Sequence, residues 1–296
     1  RRGLSPRGRD GVRMKKSIKS LLAEDPPLLM PAAHDSLSAR LVEKHGFRAY
    51  GIGGFPVAGV RYGIPDVGLM SFGEMVAGVR DIMTGTSLPV LVDADDGYGD
   101  VKNVTRTVET YEAMGVAGIV LEDQTSPKRC GHMAGKSVIA AEAMLPKLRA
   151  AVAARASKDF FLVARTDARA VHGLDDALRR GRLYLETGVD ALFVEAPESV
   201  AELETIGRSF PGATLVVNMA ESGKTPILPP AELRRLGFSI VIYPATILLR
   251  MIHAMEGALE ELKRGHLELP AGAMDFPTLT NLFGLERWGR IEDGKR

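Results

Sequence analysis

The chain has one cysteine, Cys130, in 296 residues. A single thiol excludes an internal disulfide framework and any Cys-x-x-Cys metal site, and it agrees with a reducing compartment. An excess of either charge is also missing. The 38 basic and 37 acidic residues leave a formal charge of +1, too little to gather a polyanion, so nucleic acid is excluded as a partner. No apolar run approaches the roughly 20 residues needed to span a bilayer, and no stretch reads as the apolar core of a signal peptide. A cytoplasmic protein that engages no membrane is therefore expected. A dinucleotide fingerprint is lacking too: Gly51-Ile52-Gly53-Gly54 follows an apolar run, but Phe55-Pro56 interrupts the pattern before any helix start.

What is present is an ordinary globular composition, 45% apolar and 25% charged. Residues 1–15 are rich in arginine and glycine and poor in apolar side chains, which predicts a disordered basic leader. Beyond it, short β-rich apolar runs recur near 28–32, 49–53, 89–95, 118–123, 160–166, 191–196, 214–219 and 239–244. Continuous apolar runs suit strands buried on both faces. The stretches between them, such as 104–114, 144–156, 174–187 and 230–236, carry helical spacing, and several close on a glycine (Gly115, Gly188, Gly237). Eight such repeats predict an α/β fold of the (β/α)8 barrel type, with residues 16–296 as one domain.

In such a barrel the functional residues sit at the C-terminal ends of the strands. Those ends carry Asp93 and Asp95, Glu122 and Asp123, Arg165 and Asp167, Glu195, and Asn218 with Glu221. Asp93 and Asp95 are two apart, so on one strand they are expected to point the same way. With Glu122 they make an all-oxygen set suited to Mg2+ or Mn2+ rather than zinc. Arg165 has the planar fork that binds a carboxylate or phosphate in bidentate fashion, and a rim salt bridge to Glu122 or Glu195 is compatible with that role. Acids and one arginine around a hard cation imply an anionic, oxygen-rich small-molecule substrate.

The lone cysteine lies in P-K-R-C-G-H-M-A-G-K (127–136). An isolated cysteine is usually a small buried hydrophobe. Here Lys128 and Arg129 precede it, and these cations are expected to favour the thiolate. Gly131 and Gly135 are expected to let the segment bend over a ligand as a mobile loop. His132 either tunes the thiol or anchors the closed loop. His34 and Asp35 follow the first strand, with Asp35 also readable as a helix cap. Asp66 follows a proline in a turn.

These residues, read together as V-D-A-D-D-G-Y-G (92–99), L-E-D-Q (121–124), the cysteine loop, A-R-T-D-A-R (164–169) and N-M-A-E-S-G-K-T-P (218–226), resemble the isocitrate lyase / phosphoenolpyruvate mutase superfamily. The resemblance runs in order from about Pro31 to Pro244. It implies a Mg2+-dependent barrel that assembles as a homotetramer, with a C-terminal helix at 276–292, carrying Trp288, exchanged between subunits. The C-terminal helices at about 270–292 then serve oligomerisation. It further implies that Asp95 holds the metal most directly, with Asp93 and Glu122 acting largely through water. Arg165 would bind the substrate carboxylate. Gly53, Gly54, Lys128, Gly131, His132, Glu195 and Asn218 would line the substrate pocket, and Cys130 would be the general acid of a carbon–carbon lyase, with His132, Arg165 and Glu195 as its further catalytic residues. The implied substrate is a 2-hydroxy di- or tricarboxylate of the 2,3-dimethylmalate or 2-methylisocitrate type, cleaved to a 2-oxo acid and a carboxylate. Phosphonomutase-type P–C chemistry and oxaloacetate hydrolysis are the alternatives. The C-G-H-M-x-G-K loop is nearest to dimethylmalate lyase-like members. Pro244, where acetylhydrolases tend to carry serine, lowers the hydrolytic reading. Gly53 stands where the superfamily usually has the serine of an S-G pair after the second strand, and Asp96 replaces a usual threonine and is expected to be solvated.

Overall fold

The computed structural model describes residues 16–266 and 268–294; the leader expected over 1–15 lies outside them. Eight strands follow the eight apolar runs: β1 (Leu28–Pro31), β2 (Tyr50–Ile52), β3 (Val90–Asp93), β4 (Gly118–Glu122), β5 (Phe161–Thr166), β6 (Ala191–Val194), β7 (Leu215–Asn218) and β8 (Phe238–Tyr243). They pair in parallel in the order β1-β8-β7-β6-β5-β4-β3-β2. An Ala32–Gly51 bridge, with the Ala33 amide donating to Gly51 O at 2.9 Å, joins β1 to β2 and brings the sheet round on itself. With helices between the strands this is the (β/α)8 barrel. Gly115, Gly188 and Gly237 each follow a helix in the left-handed region (φ +81°, +92° and +98°), where a side chain would be strained.

Period-two alternation connects the core to the rim. Leu91, Val120, Phe161, Val163, Phe193 and Val216 pack together in one buried cluster. Their neighbours Val92, Ile119, Leu121, Leu162 and Ala164 join a different cluster with residues of the helices. Two residues further along the first set stand Asp93, Glu122, Arg165, Glu195 and Asn218. The same parity that fills the barrel therefore delivers the polar residues to its mouth.

Parity also corrects the reading of Asp123 as a rim acid, because it is one residue out of phase. Its Oδ2 accepts hydrogen bonds from Thr166 Oγ1 (2.7 Å), Tyr184 Oη (2.8 Å) and Arg180 Nη1 (3.0 Å), and its Oδ1 accepts from the Asp167 amide (2.9 Å). Asp123 thus clamps β4 to the end of β5 and to the helix Leu174–Leu185, and in doing so fixes where Arg165 and Asp167 start.

The chain divides into two compact units, one up to Leu249 and one from Arg250 on. In the second, the expected helix over 276–292 is two helices, Phe276–Leu282 and Leu285–Glu292, because Gly284 at φ +88° breaks the run. No helix among the described residues is long and apolar enough to cross a membrane.

Candidate active site

A cavity of about 280 Å3 opens at the C-terminal ends of the strands. Gly53 and Gly54 after β2, Asp93, Glu122, Arg165, Glu195, Asn218, and Lys128, Cys130, Gly131 and His132 of the loop all line it. Its remaining wall is largely apolar, with Phe55, Pro56, Met133, Ala220, Pro244, Ala245 and Leu249. Sequence reasoning named none of these as pocket walls, because loop ends give no periodic signal.

Arg165 sits at the centre and is 6% exposed. Its Nε and Nη2 donate to Asp167 at 2.9 and 3.1 Å. Nη2 also lies 3.3 Å from Glu122 Oε2, Nε 3.4 Å from Glu195 Oε2, and Nη1 4.0 Å from Asp93 Oδ2. Phe193 from β6 lies 5.4 Å beneath the guanidinium. The salt bridges to Glu122 and Glu195 are both present, and the bidentate fork is spent on Asp167. Nη1, which takes no part in the bonds to Asp167, is the donor that faces Asp93.

Asp95 departs from expectation. β3 ends at Asp93, and Asp95 adopts φ +47°, so the two side chains no longer share a face. Asp95 lines a neighbouring cavity with Asp96 and Tyr98, and its Oδ1 lies 2.9 Å from Lys128 Nζ. Burial pushes its carboxyl up to about 7, against the pull of Lys128, with Asp93 adding to the rise. Asp96 is half-buried rather than solvated: its Oδ1 accepts from the Tyr98 amide at 2.8 Å and its Oδ2 lies 3.6 Å from Lys147 Nζ. Burial also raises the Glu122 carboxyl well above the usual range, against Arg165, with Asp167 and Asp93 adding to the rise. Glu122 Oε1 is buried without a hydrogen-bond partner. Asp35 caps the helix Ser36–Lys44 through the Ser38 amide, and His34 is buried away from the cavity lining.

The cysteine loop is fastened at many points. Its base is zipped by a Gln124–Val138 bridge and by the Thr125 amide on Ser137 O (2.9 Å). Gln124 Nε2 donates to Glu122 Oε2 (3.1 Å) and to Arg129 O (2.8 Å), tying the loop to β4. Lys128 Nζ reaches Asp66 Oδ1 at 2.6 Å, and the Cys130 amide donates to Asp66 O at 3.2 Å. Lys136 Nζ bonds Asp167 Oδ1 at 2.7 Å and also Gly131 O. The Lys224 amide donates to His132 Nδ1 at 3.2 Å. Among these anchors, the partners of Gln124 and Lys136 were not foreseen from the sequence, since each bond joins residues that no local pattern relates.

Gly131 is required by close approach rather than by bending. A Cβ there would fall 2.6 Å from Arg165 Nη2 and 2.7 Å from Glu195 Cδ, so only glycine lets the loop lie flat on the guanidinium.

The thiol reverses a second expectation. Lys128 is turned to Asp66 and Asp95, and Arg129 to Ala134 O at 3.5 Å, so neither neighbouring cation serves the sulfur. Burial pushes the Cys130 thiol above its ordinary value, with Asp66 and Glu195 adding to the rise and the His132 amide and Arg165 opposing it. At neutral pH Cys130 is a protonated thiol facing the cavity. Burial likewise lowers the His132 imidazole, which Glu195 opposes. With Nδ1 accepting the Lys224 amide, the remaining ring proton is on Nε2, 3.4 Å from Glu195 Oε1.

Residues 18–263 match the family described as phosphoenolpyruvate phosphomutase. The chain is 42% identical over 279 residues to 2,3-dimethylmalate lyase of Eubacterium barkeri, covering 93% of this chain and 96% of that one. Among solved structures it is similar to oxaloacetate acetylhydrolase bound to 3,3-difluorooxalacetate, at a TM-score of 0.89 and 31% identity over 94% of this chain and 95% of the other. It is also similar to phosphonopyruvate hydrolase in complex with oxalate and Mg2+, at a TM-score of 0.83 and 30% identity over 93% and 96% of the two chains.

The raised thiol pKa has a direct readout. A thiol whose ionisation is suppressed by burial stays protonated through neutral pH and reacts only as pH climbs past the ordinary cysteine range of about 8.5. Iodoacetamide alkylation of Cys130, followed by mass spectrometry against pH, is expected to show a midpoint above that of free cysteine. A midpoint below it would mean an activated thiolate.

Proposed function

The chain belongs to the phosphoenolpyruvate phosphomutase family, and from that premise we propose that it is a divalent-cation-dependent carbon–carbon lyase. Its substrate on this reading is a 2-hydroxy dicarboxylate of the 2,3-dimethylmalate kind, or the related 2-methylisocitrate. The observation that carries it is the Cys130 thiol, seated on a loop that lines the same cavity as Arg165 and the strand-end carboxylates.

Cleavage of such a substrate needs four things from the protein. The substrate carboxylate must be held, and Arg165 Nη1 supplies the cationic donor. The 2-hydroxyl must lose its proton, and Glu195 Oε1 is a buried acceptor without a hydrogen-bond partner. The C2–C3 bond then breaks with its electron pair moving onto C3, while C2 becomes the carbonyl of the departing 2-oxo acid. C3 must finally receive a proton, and Cys130, kept neutral by burial, is the donor. The flat seating of Gly131 and the lysine anchors keep water from competing for that carbanion-like carbon.

The residues fit a hydrated hard cation. The donors Asp93, Asp95 and Glu122 are all oxygen, and Glu122 Oε1 is left buried without a partner. Among the described residues no three His, Cys, Asp or Glu side chains converge to hold an ion directly; the carboxylate that would hold it is Asp95, with Asp93 and Glu122 acting through water. Mg2+ is the ion proposed, with Mn2+ as substitute; when bound it supplies positive charge to the oxygen on which charge develops. Pro244 at the cavity wall offers no hydroxyl, which favours cleavage over acetyl hydrolysis.

We further propose a homo-oligomer, a tetramer with exchanged C-terminal helices. Met255, Leu259, Leu269, Phe276, Leu285 and Trp288 of the second unit are each more than half exposed within one chain, an apolar load that a free monomer rarely carries.

Two measurements test these readings. Lactate-dehydrogenase-coupled detection of oxo-acid release from 2,3-dimethylmalate and its homologues is expected to be Mg2+-dependent. Cys130→Ser should then lower turnover by about 100-fold or more while oxalate binding changes less than threefold. No metal-dependent release from any such acid, or an equal loss of binding, would overturn the lyase reading. Light scattering of the purified chain is expected to give four subunits, and a monomer at micromolar concentration would overturn the assembly.

A further inference from the structure

Lys128 is placed where a loop lysine has no evident reason to be. It is 7% exposed, its ammonium bridges Asp66 Oδ1 (2.6 Å) and Asp95 Oδ1 (2.9 Å), and it stands two residues before Cys130. Room for it is made by Gly54, where a Cβ would lie 3.1 Å from Nζ and 3.3 Å from Asp66 Oδ1.

The charge balance explains the arrangement. Arg165 is engaged bidentately by Asp167 and also faces Glu122 and Glu195. Little of its charge remains for Asp93 and Asp95, and the second cation at this corner is Lys128. We propose that Lys128 is an internal counter-cation that holds Asp95 until a divalent ion takes its place, so that metal occupancy is coupled to the seating of the Cys130 loop. The inference rests on the divalent-cation reading above.

An ion on Asp95 and an ammonium 2.9 Å from the same carboxylate repel strongly in a buried site. The ion therefore weakens the Lys128–Asp95 contact. Asp66 then provides the second seat: Lys128 retains that partner, and the Cys130 amide retains Asp66 O. The loop shifts but is not released. The loop lysine thus senses whether the site is charged before the thiol is brought to bear.

The test is calorimetric titration of Mg2+, with Mn2+ in parallel, into the full chain without substrate, joined to the alkylation rate of Cys130 with and without the ion. Lys128→Met should bind the ion at least tenfold more tightly than the unaltered protein. In the unaltered protein Mg2+ should change the alkylation rate at least threefold, and in K128M it should not. Lys128→Gln serves the same purpose if K128M does not fold. Asp66→Asn should weaken ion binding when Lys128 is present and leave it unchanged in the K128M background. Affinity in K128M equal to or weaker than that of the unaltered protein overturns the inference alone. Ion binding to neither protein overturns the divalent-cation reading instead.

Discussion

A single buried guanidinium organises the mouth of this barrel. Arg165 lies against acids delivered by four successive strands, Asp93, Glu122, Asp167 and Glu195, and rests on Phe193. Four carboxylates at that spacing would repel one another in a low-dielectric pocket. Arg165 makes their convergence stable, and its removal would leave buried charges uncompensated, a loss of about 3 to 5 kcal/mol. The effect reaches the loop as well, because Gly131 is pressed on the same guanidinium and Lys136 is paired to the same Asp167. On the lyase reading proposed above, substrate grip, proton acceptor and loop would all be built on this one cation.

The second constraint, on the lyase reading proposed above, is the neutrality of the thiol. A nucleophilic cysteine calls for an electropositive surrounding, whereas a cysteine that protonates carbon must hold its proton at working pH. The loop solves this by aiming its cations away from the sulfur. Lys128 goes to Asp66 and Asp95, Arg129 to a backbone carbonyl, and Lys136 to Asp167. Burial then does the rest, raising the thiol and lowering His132 together. The lysines of the loop act as anchors, and the sulfur is left as a neutral thiol.

How much of this was legible in the sequence follows from which interactions are local. Strand number and the inward set Asp93, Glu122, Arg165, Glu195 and Asn218 were readable, because period-two alternation is written into the apolar runs. The shared face of Asp93 and Asp95 was misjudged, since parity holds only while the backbone remains extended and Asp95 turns left-handed just past β3. Asp123 was placed on the rim when its phase puts it on the outer face. The charge state of Cys130 was misread because adjacency in sequence says nothing of where a long side chain ends. Gln124, Lys136 and the apolar wall depend on contacts across the fold that no local pattern encodes.

The account's central claim is that Cys130 gives its proton to the carbon released by bond cleavage. Cleavage of 2,3-dimethylmalate run in deuterium oxide, with the carboxylate product examined by NMR, tests it most directly. The account predicts one deuterium at the carbon of the broken bond, with a single configuration when Cys130 is present and a mixture or no product with Cys130→Ala. A product free of deuterium, or one whose labelling is indifferent to Cys130, would contradict it.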